Sequence, residues 1–241
     1  MDIIEAGFAA SSPGDFEAVQ TIAGEVRRPI IASLARCHPD DVDAAWAALK
    51  DAERPRIHVF ISSSDIQIMH QLRKNPEEVL DMAVASVERA KGYCDDVEFS
   101  PMDATRTDMD YLYRLVEAAI DAGAKRICVC DTCGHATPDG VRSLLSFVSG
   151  IVAESGTDVG IDRHSHRDRG PGLINTLEAL KAGATRLHAT ALGIGERAGN
   201  TEMDLLLVNL KLEGLISNDL SRLAEYVALA SEAVGAPVPH N

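Results

Sequence analysis

The stretch Asp158-Val159-Gly160-Ile161-Asp162-Arg163-His164-Ser165-His166 decides the fold, because it ends an apolar run in polar residues and leads into the helical pattern Gly172-Leu173-Ile174-Asn175-Thr176-Leu177. This order is typical of one strand–helix unit. Side chains alternate faces along a strand, so His164 and His166 are predicted to point to the same side. Two imidazoles on one side of a strand end can hold a divalent metal. Two unrelated polar residues at a strand-to-helix turn would give the same pattern, and His-x-His alone leaves both interpretations open.

The strand–helix unit recurs along the whole chain. Several of the predicted strands are continuous apolar or β-branched runs, as expected for strands that are buried on both faces. The helices between them begin at capping sequences such as Ser12-Pro13-Gly14-Asp15 and Asn75-Pro76-Glu77-Glu78. The strands are predicted at residues 2–6, 30–35, 57–62, 96–100, 126–132, 158–166 and 186–193.

Seven strand–helix repeats joined by right-handed crossovers predict an α/β fold of the (β/α)8 TIM-barrel type, with the first barrel strand missing from the chain. An open doubly wound sheet is the alternative, but no Gly-x-Gly-x-x-Gly sequence follows the first predicted strand. The predicted domains are an incomplete barrel over residues 1–213 and a C-terminal helical extension over residues 214–241.

The composition argues against several classes of protein. The 241 residues carry a formal net charge of −14, which disfavours binding to nucleic acid or to an anionic membrane. No apolar run reaches the length of a membrane span, and the first residues lack the basic region of a signal peptide. Five cysteines without a framework spacing indicate free thiols in a reducing cytoplasm. Cys130-x-x-Cys133 ends an apolar strand, and we expect packed thiols there rather than a redox pair.

Polar residues gather where the predicted strands end, which is where a TIM barrel places its chemistry. His58 alternates with apolar neighbours inside its strand, and a core histidine explains it equally well. Together these residues are rich in nitrogen and oxygen ligands, and they favour a metal site over a purely structural rim. They are Glu5, His58, Glu98, Ser100, Thr132, His164, His166 and the glycine-rich turn over residues 193–200, with Glu196 and Asn200.

At these positions the chain resembles the 2-isopropylmalate synthase and homocitrate synthase family, the acyl-CoA Claisen enzymes of the DRE-TIM metallolyase superfamily. The resemblance implies a TIM barrel like that of HMG-CoA lyase. Its most specific piece is Gly193-Ile194-Gly195-Glu196-Arg197-Ala198-Gly199-Asn200, which separates the synthases from the lyases. The other pieces are residues 4–16, 95–100, 103–108, 131–138 and His164-x-His166.

The resemblance implies a metal-dependent condensation of acetyl-CoA with a 2-oxo acid, with 2-oxoisovalerate as the default acceptor, as in leucine biosynthesis. The ion, Mg²⁺, Mn²⁺ or Zn²⁺, would polarise the oxo-acid carbonyl. His164, His166 and Asn200 would be its ligands. Catalytic roles fall to Glu196 and Glu98, and substrate contacts to Thr132, Ser100, Glu5 and His58. A homodimer is also implied.

The chain departs from the family pattern in four places. The family's first strand, with an Arg-Asp-Gly turn that binds metal and oxo acid, is not in this sequence. Met102 and Gln67 replace a usual carboxylate and histidine, and Arg167 adds a cation after His166. We therefore expect weak metal binding and little synthase activity from these 241 residues alone. Two alternatives stay open: a metal-dependent lyase or aldolase on the same barrel, and a non-catalytic truncated paralogue.

Overall fold

The structure is a computed structural model that describes residues 1–238, so the end of the predicted extension, residues 239–241, lies outside it. The chain forms two compact units. The first unit contains Met1–Cys130 and Phe147–Ile161, and the second contains Asp131–Ser146 and the chain from Asp162 onward. The predicted boundary between residues 213 and 214 stays a prediction.

Strands and helices alternate along the chain, as the repeat pattern predicts. The strands are β1 Ile3–Gly7, β2 Ile30–Arg36, β3 Pro55–Ser62, β4 Val97–Met102, β5 Arg126–Asp131, β6 Gly160–Ser165 and β7 Arg186–Leu187. The helices are α1 Pro13–Glu25, α2 Pro39–Leu49, α3 Asp65–Gln67, α4 Pro76–Lys91, α5 Met109–Asp121, α6 Pro138–Ser155, α7 Gly172–Lys181, α8 Met203–Leu212 and α9 Leu223–Val234. A π-helical turn at Ile68–Leu72 and 3-10 turns at Ala104–Arg106 and Ala191–Gly193 complete the set.

In the first unit, each strand from β1 to β4 pairs in parallel with the next strand along the chain. The register places His58 beside Glu98 and Phe60 beside Ser100. Ile57, Val59, Val97 and Phe99 are completely buried, and they alternate along β3 and β4 with polar residues such as His58 and Glu98. Residues that are paired in this register point to the same face of the sheet, so the polar side chains of His58 and Glu98 are neighbours.

The helix starts follow the predicted capping sequences. Ser12 Oγ accepts a hydrogen bond from the Asp15 amide at 3.1 Å. Asn75 and Glu78 form a reciprocal capping box, with both hydrogen bonds present. Such caps satisfy amides that have no partner inside the helix and stabilise it by roughly 1 kcal/mol each.

In the second unit, β6 and β7 pair in parallel, with Asp162 opposite Arg186 and Arg163 opposite Leu187. A small apolar core consists of Leu177, Leu206 and Leu210, with further apolar side chains packed against it. Leucines that recur three and four residues apart on α7 and α8 build this core.

The last predicted strand is shorter than expected. The sequence predicts a strand over residues 186–193, but β7 ends at Leu187 and a 3-10 turn follows at Ala191–Gly193. Leu192 and Gly193 have φ values of +56° and +66°, which an extended strand does not allow. The alternation of apolar residues there belongs to a turn, not to a strand.

The cysteines and the C-terminal helix follow the sequence pattern. None of the five cysteines forms a disulfide. Burial raises the pKa of the Cys37 thiol to about 12, so that thiol stays protonated and unreactive. Helix α9 lies inside the predicted extension. Within residues 1–238, no helix has both the length and the apolar character that a bilayer crossing needs.

Candidate metal and substrate site

The two histidines after β6 point to the same side, as the strand period predicts. The Nε2 atoms of His164 and His166 lie 3.3 Å apart, and their rings meet edge to face. When two nitrogens bind the same zinc ion, each at about 2.1 Å and with tetrahedral geometry, they lie about 3.4 Å apart. The pair is therefore already spaced for a shared ion.

The protonation of His166 also suits a metal ligand. His166 is only 6% exposed. Burial lowers its pKa, and the positive charge of Arg197 lowers it further. A ligating imidazole must be neutral, so both effects favour the form that binds metal.

Asn200 is held beside this pair by the backbone. The Asn200 amide donates to the Gly193 carbonyl at 2.9 Å, and the Thr201 amide donates to the Ser165 carbonyl at 3.2 Å. Asn200 Oδ1 is buried and has no hydrogen-bond partner within the described chain, and the same holds for His166 Nδ1. Buried polar atoms without partners are costly, and a bound cation is one way to satisfy an amide oxygen. The residues present thus fit a divalent ion.

The turn over residues 193–200 needs its glycines, because neighbouring atoms lie too close to the backbone to leave room for a Cβ. A Cβ on Gly199, whose φ is +104°, would lie 2.2 Å from the Gly193 carbonyl oxygen. A Cβ on Gly195 would lie 2.5 Å from Asn200 Nδ2. A side chain at Gly195 would displace the Asn200 side chain, and one at Gly199 would displace the Gly193 carbonyl that accepts from the Asn200 amide, so this geometry requires both glycines.

Arg167 holds the same turn. Its Nε donates to the Ala198 carbonyl at 2.6 Å, and its guanidinium forms an ion pair with Glu202. The Arg167 amide donates to the Gly199 carbonyl at 3.0 Å. The sequence suggested that Arg167 is an added cation close to the metal. In the structure, Glu202 balances the charge of Arg167, and the Arg167 side chain holds the glycine-rich turn.

Thr132 and Glu196 are linked through Arg197. The Arg197 guanidinium binds both carboxylate oxygens of Asp168, at 2.7 and 3.1 Å, and donates to the Thr132 carbonyl at 2.5 Å. This pairing lowers the pKa of Asp168. Glu196 lies 3.3 Å from the same guanidinium, with its side chain 76% exposed. The roles predicted for Thr132 and Glu196 stay predictions.

In the first unit, the structure brings three of the predicted substrate residues together. His58 Nδ1 lies 2.5 Å from Glu5 Oε2, and His58 Nε2 lies 2.6 Å from Ser100 Oγ. His58 is therefore a buried histidine with both ring nitrogens engaged. The structure thus shows a buried histidine with polar partners, and the substrate role of His58 stays a prediction.

Glu98 belongs to the same cluster. Its Oε2 accepts a hydrogen bond from Arg56 Nη1 at 2.9 Å, and its Oε1 lies 3.4 Å from His58 Nε2. Arg56, which is 1% exposed, also binds both oxygens of Asp96 at 3.0 and 2.9 Å. Sequence reasoning missed Arg56. The available signal was a charge two residues before His58 in an apolar strand, hence on the same face.

His188 is a second residue that sequence reasoning left without a role. Its ring lies 5.7 Å from the ring of His164, centroid to centroid. Its Nε2 lies 3.5 Å from a carboxylate oxygen of Asp162, which is completely buried. The shortened strand β7 makes this position difficult to predict, because strand alternation does not extend beyond Leu187.

Comparison with known proteins places the chain among enzymes of one family. The HMGL-like family model matches residues 1–229. A 2-isopropylmalate synthase of Pyrococcus furiosus is 46% identical over the whole chain, and one of Syntrophus aciditrophicus is 50% identical over 88% of it. The alignments cover 49% and 41% of those two proteins, so the chain spans about half the length of the curated relatives it matches.

Solved structures show the same fold. The HMG-CoA lyase of Bacillus subtilis superposes with a TM-score of 0.82 at 21% identity, covering 100% of this chain and 84% of that one. The hydroxymethylglutaryl-CoA lyase of Pseudomonas aeruginosa superposes with a TM-score of 0.81 at 19% identity, covering 99% and 82%. The predicted barrel of the HMG-CoA lyase type, short of one strand in this sequence, is confirmed, and so is the family resemblance drawn from the motifs.

Proposed function

The chain belongs to the HMGL-like family, and from that premise we propose that it carries the barrel of a metal-dependent acyltransferase. The proposed reaction condenses acetyl-CoA with a 2-oxo acid, as 2-isopropylmalate synthase does, with 2-oxoisovalerate as the default acceptor. The names of the 42–50% identical relatives support this substrate class.

One observation carries the proposal. The Nε2 atoms of His164 and His166 are 3.3 Å apart, and the neighbouring Asn200 has a buried Oδ1 without a partner within the described chain. Nitrogen and amide oxygen donors suit Mg²⁺, Mn²⁺ or Zn²⁺. When bound, such an ion supplies Lewis-acid polarisation of the oxo-acid carbonyl.

The chain's own residues bind and orient the substrates. Thr132 offers a hydroxyl to the oxo-acid carboxylate, and Ser100, Glu5 and His58 contribute a second set of polar contacts. Glu98 is the proposed base for the acetyl methyl proton. Its ion pair with Arg56 keeps this carboxylate ionised and fixes its position.

Glu196 has a separate proposed role on the turn over residues 193–200. It is proposed to support the arrangement of the metal ligands through Arg197, which it contacts at 3.3 Å. The relatives also lead us to propose cytoplasmic localisation, a role in amino-acid biosynthesis and a homodimer. Oligomeric state is measured by sedimentation, where a mass of one chain, 25.8 kDa, would contradict the dimer.

Release of CoA thiol from acetyl-CoA tests the reaction. The chain is assayed with Mn²⁺ and a panel of 2-oxo acids, then with EDTA, and we expect slow thiol release that depends on both metal and oxo acid. His164→Ala should abolish it, whereas the control variant of the exposed His70, His70→Ala, should not. Cleavage of a 2-hydroxy acid without CoA would instead support the lyase or aldolase alternative. Absence of any turnover in metal-loaded protein would contradict the proposed function.

A further inference from the structure

Two cysteines of the first unit form a buried pair of thiols. Cys128 and Cys130 lie two residues apart on β5, so their side chains point to the same face of the sheet. Their Sγ atoms are 3.9 Å apart, and the two residues are 0% and 5% exposed. Two thiols at this distance either pack against each other without further function or bind one ion between them.

The separation of the two sulfurs matches that of two ligands of one metal ion. Zinc binds thiolate sulfur at about 2.3 Å, so two sulfurs at tetrahedral positions around one zinc ion lie about 3.8 Å apart. The 3.9 Å between Cys128 Sγ and Cys130 Sγ is close to this value. The strand thus presents two sulfur ligands with the required spacing.

Glu98 adds an oxygen ligand next to this pair. It lies on β4, which pairs with β5, and it is 2% exposed. A carboxylate oxygen of Glu98 and Cys128 Sγ lie within 4.8 Å of each other. Arg56 donates to the same carboxylate at 2.9 Å, which keeps Glu98 ionised. Zinc binds carboxylate oxygen as well as thiolate sulfur, so the three groups form a compatible set of ligands.

Two arginines carry positive charge close to these ligands. Arg56 is bound by Asp96 as well as by Glu98. Arg126 lies opposite Glu98 in the register of β4 and β5, and its guanidinium donates to the Ile161 carbonyl at 3.4 Å. Positive charge near a cysteine favours the thiolate over the thiol, and the thiolate is the form that binds metal.

We propose that Cys128, Cys130 and Glu98 form a second metal site, which takes a thiophilic divalent ion such as Zn²⁺ or Cd²⁺. All three ligands belong to the first unit. Each thiol loses its proton to solvent as its sulfur binds the ion, so uptake of the metal releases protons. Thiolate sulfur disfavours Mg²⁺ and Mn²⁺, which distinguishes this site from the one proposed at His164 and His166.

Ultraviolet absorption of cadmium-bound thiolate tests the site without any turnover. The reduced, EDTA-treated 241-residue chain is titrated with Cd²⁺ in the presence of excess Mn²⁺, and we expect charge-transfer absorption that saturates at one ion per chain. Cys128→Ser and Cys130→Ser should each weaken Cd²⁺ binding more than about tenfold, since even a group that only supports a metal ligand contributes that much. The control Cys94→Ser should titrate like the wild type.

Three results would overturn the proposal: no thiolate absorption in the wild type, an unchanged titration in Cys128→Ser, or an equal loss in Cys94→Ser. If the serine variants do not fold, cadmium-113 NMR of the wild type counts the sulfur ligands, because each thiolate moves the resonance to higher frequency. We expect a resonance with the shift of two thiolates, and one or none would contradict the site.

Glu98→Gln separates the oxygen ligand from the two sulfurs. Thiolate absorption should remain while the affinity for Cd²⁺ falls, and an unchanged affinity would remove Glu98 from the site. Glu98 is also the base proposed above, so Cd²⁺ should inhibit CoA release by the wild type more than by Cys128→Ser. That consequence rests on the proposed function, and equal inhibition would refute it. Thiolate absorption in a chain that never releases CoA refutes the proposed function alone.

Discussion

The two polar clusters of this chain satisfy their buried groups in opposite ways. In the first unit, Arg56 and Glu98 are paired by other side chains at hydrogen-bond distance. In the second unit, Asn200 Oδ1 is buried without a partner within the described chain, although its neighbours hold it firmly in place. Arg56 thus has its charge balanced by protein side chains, whereas Asn200 Oδ1 is left without a partner within the described chain. Substitution of Arg56 should therefore cost stability, and substitution of Asn200 should cost binding of the proposed metal ion.

The largest effect on stability is expected from Arg56→Met. Loss of the guanidinium removes the ion-pair partner of the buried Glu98 carboxylate and of the partly exposed Asp96 carboxylate, which should lower the free energy of unfolding by about 3–5 kcal/mol. Urea unfolding followed by circular dichroism measures it. Arg54→Met is the matched control, because Arg54 is exposed, and it should change the value by less than about 0.5 kcal/mol. Equal losses in both variants would remove the distinction between the clusters.

Gly199→Ala should combine a loss of stability with a loss of metal binding. Its Cβ would meet the Gly193 carbonyl at 2.2 Å in a backbone conformation that alanine disfavours. We expect unfolding to become easier by roughly 2–3 kcal/mol, because both strain and overpacking are introduced. Gly150→Ala in α6, where an added Cβ meets nothing within 4 Å, should stabilise the helix slightly. A wild-type unfolding curve for Gly199→Ala would show that the turn is not constrained as described.

Asn200→Ala tests the second cluster without straining the backbone. Removal of an amide whose oxygen has no partner should change metal-free stability by less than about 1 kcal/mol. The affinity for Mn²⁺ should fall at least tenfold if Asn200 is the ligand proposed above, and isothermal titration measures it. A large loss of metal-free stability with unchanged affinity would place Asn200 in the fold and not in the site.

The smallest effect concerns the ion pair between Asp168 and Arg197. Arg197 lowers the pKa of Asp168 in the folded chain. The ion pair therefore stabilises the fold at pH values above about 3.9, which is the pKa of aspartate in the unfolded chain. This stabilisation is lost as the pH falls through the lower pKa of the folded chain. Both side chains are partly exposed, and we expect at most about 1 kcal/mol. Thermal melts of wild type and Asp168→Asn should differ at neutral pH and converge in acid. A difference in melting temperature that grows on acidification would contradict a stabilising ion pair between Asp168 and Arg197.

Much of the fold follows from local pattern. The strand around Ile127 is a continuous apolar run, the strands around Ile57 and Val97 alternate apolar and polar residues, and the caps at Ser12 and Asn75 have the residues that helix starts require. Local chemistry suffices for these elements, because each depends on neighbours within a few residues. The shared direction of His164 and His166 has the same origin, a period of two along a strand.

The rest depends on contacts that are distant in sequence. Arg56 and Glu98 are separated by 42 positions, and their ion pair exists only because β3 and β4 adopt one register. The turn at Leu192 interrupts an apolar alternation through backbone angles that composition does not reveal. Likewise, Arg167 could be recognised as a charge near the histidines, but not as the group that holds the glycine-rich turn.

Electron paramagnetic resonance of Mn²⁺ tests the central claim most directly. Free Mn²⁺ gives a sharp six-line signal that weakens on binding, so titration of EDTA-treated chain measures the site without requiring turnover. We predict loss of signal that saturates at one ion per chain, and no loss in His164→Ala that has the wild-type unfolding curve. An unchanged signal in wild type, or an equal loss in His164→Ala, would contradict the assignment of this cluster as a metal site.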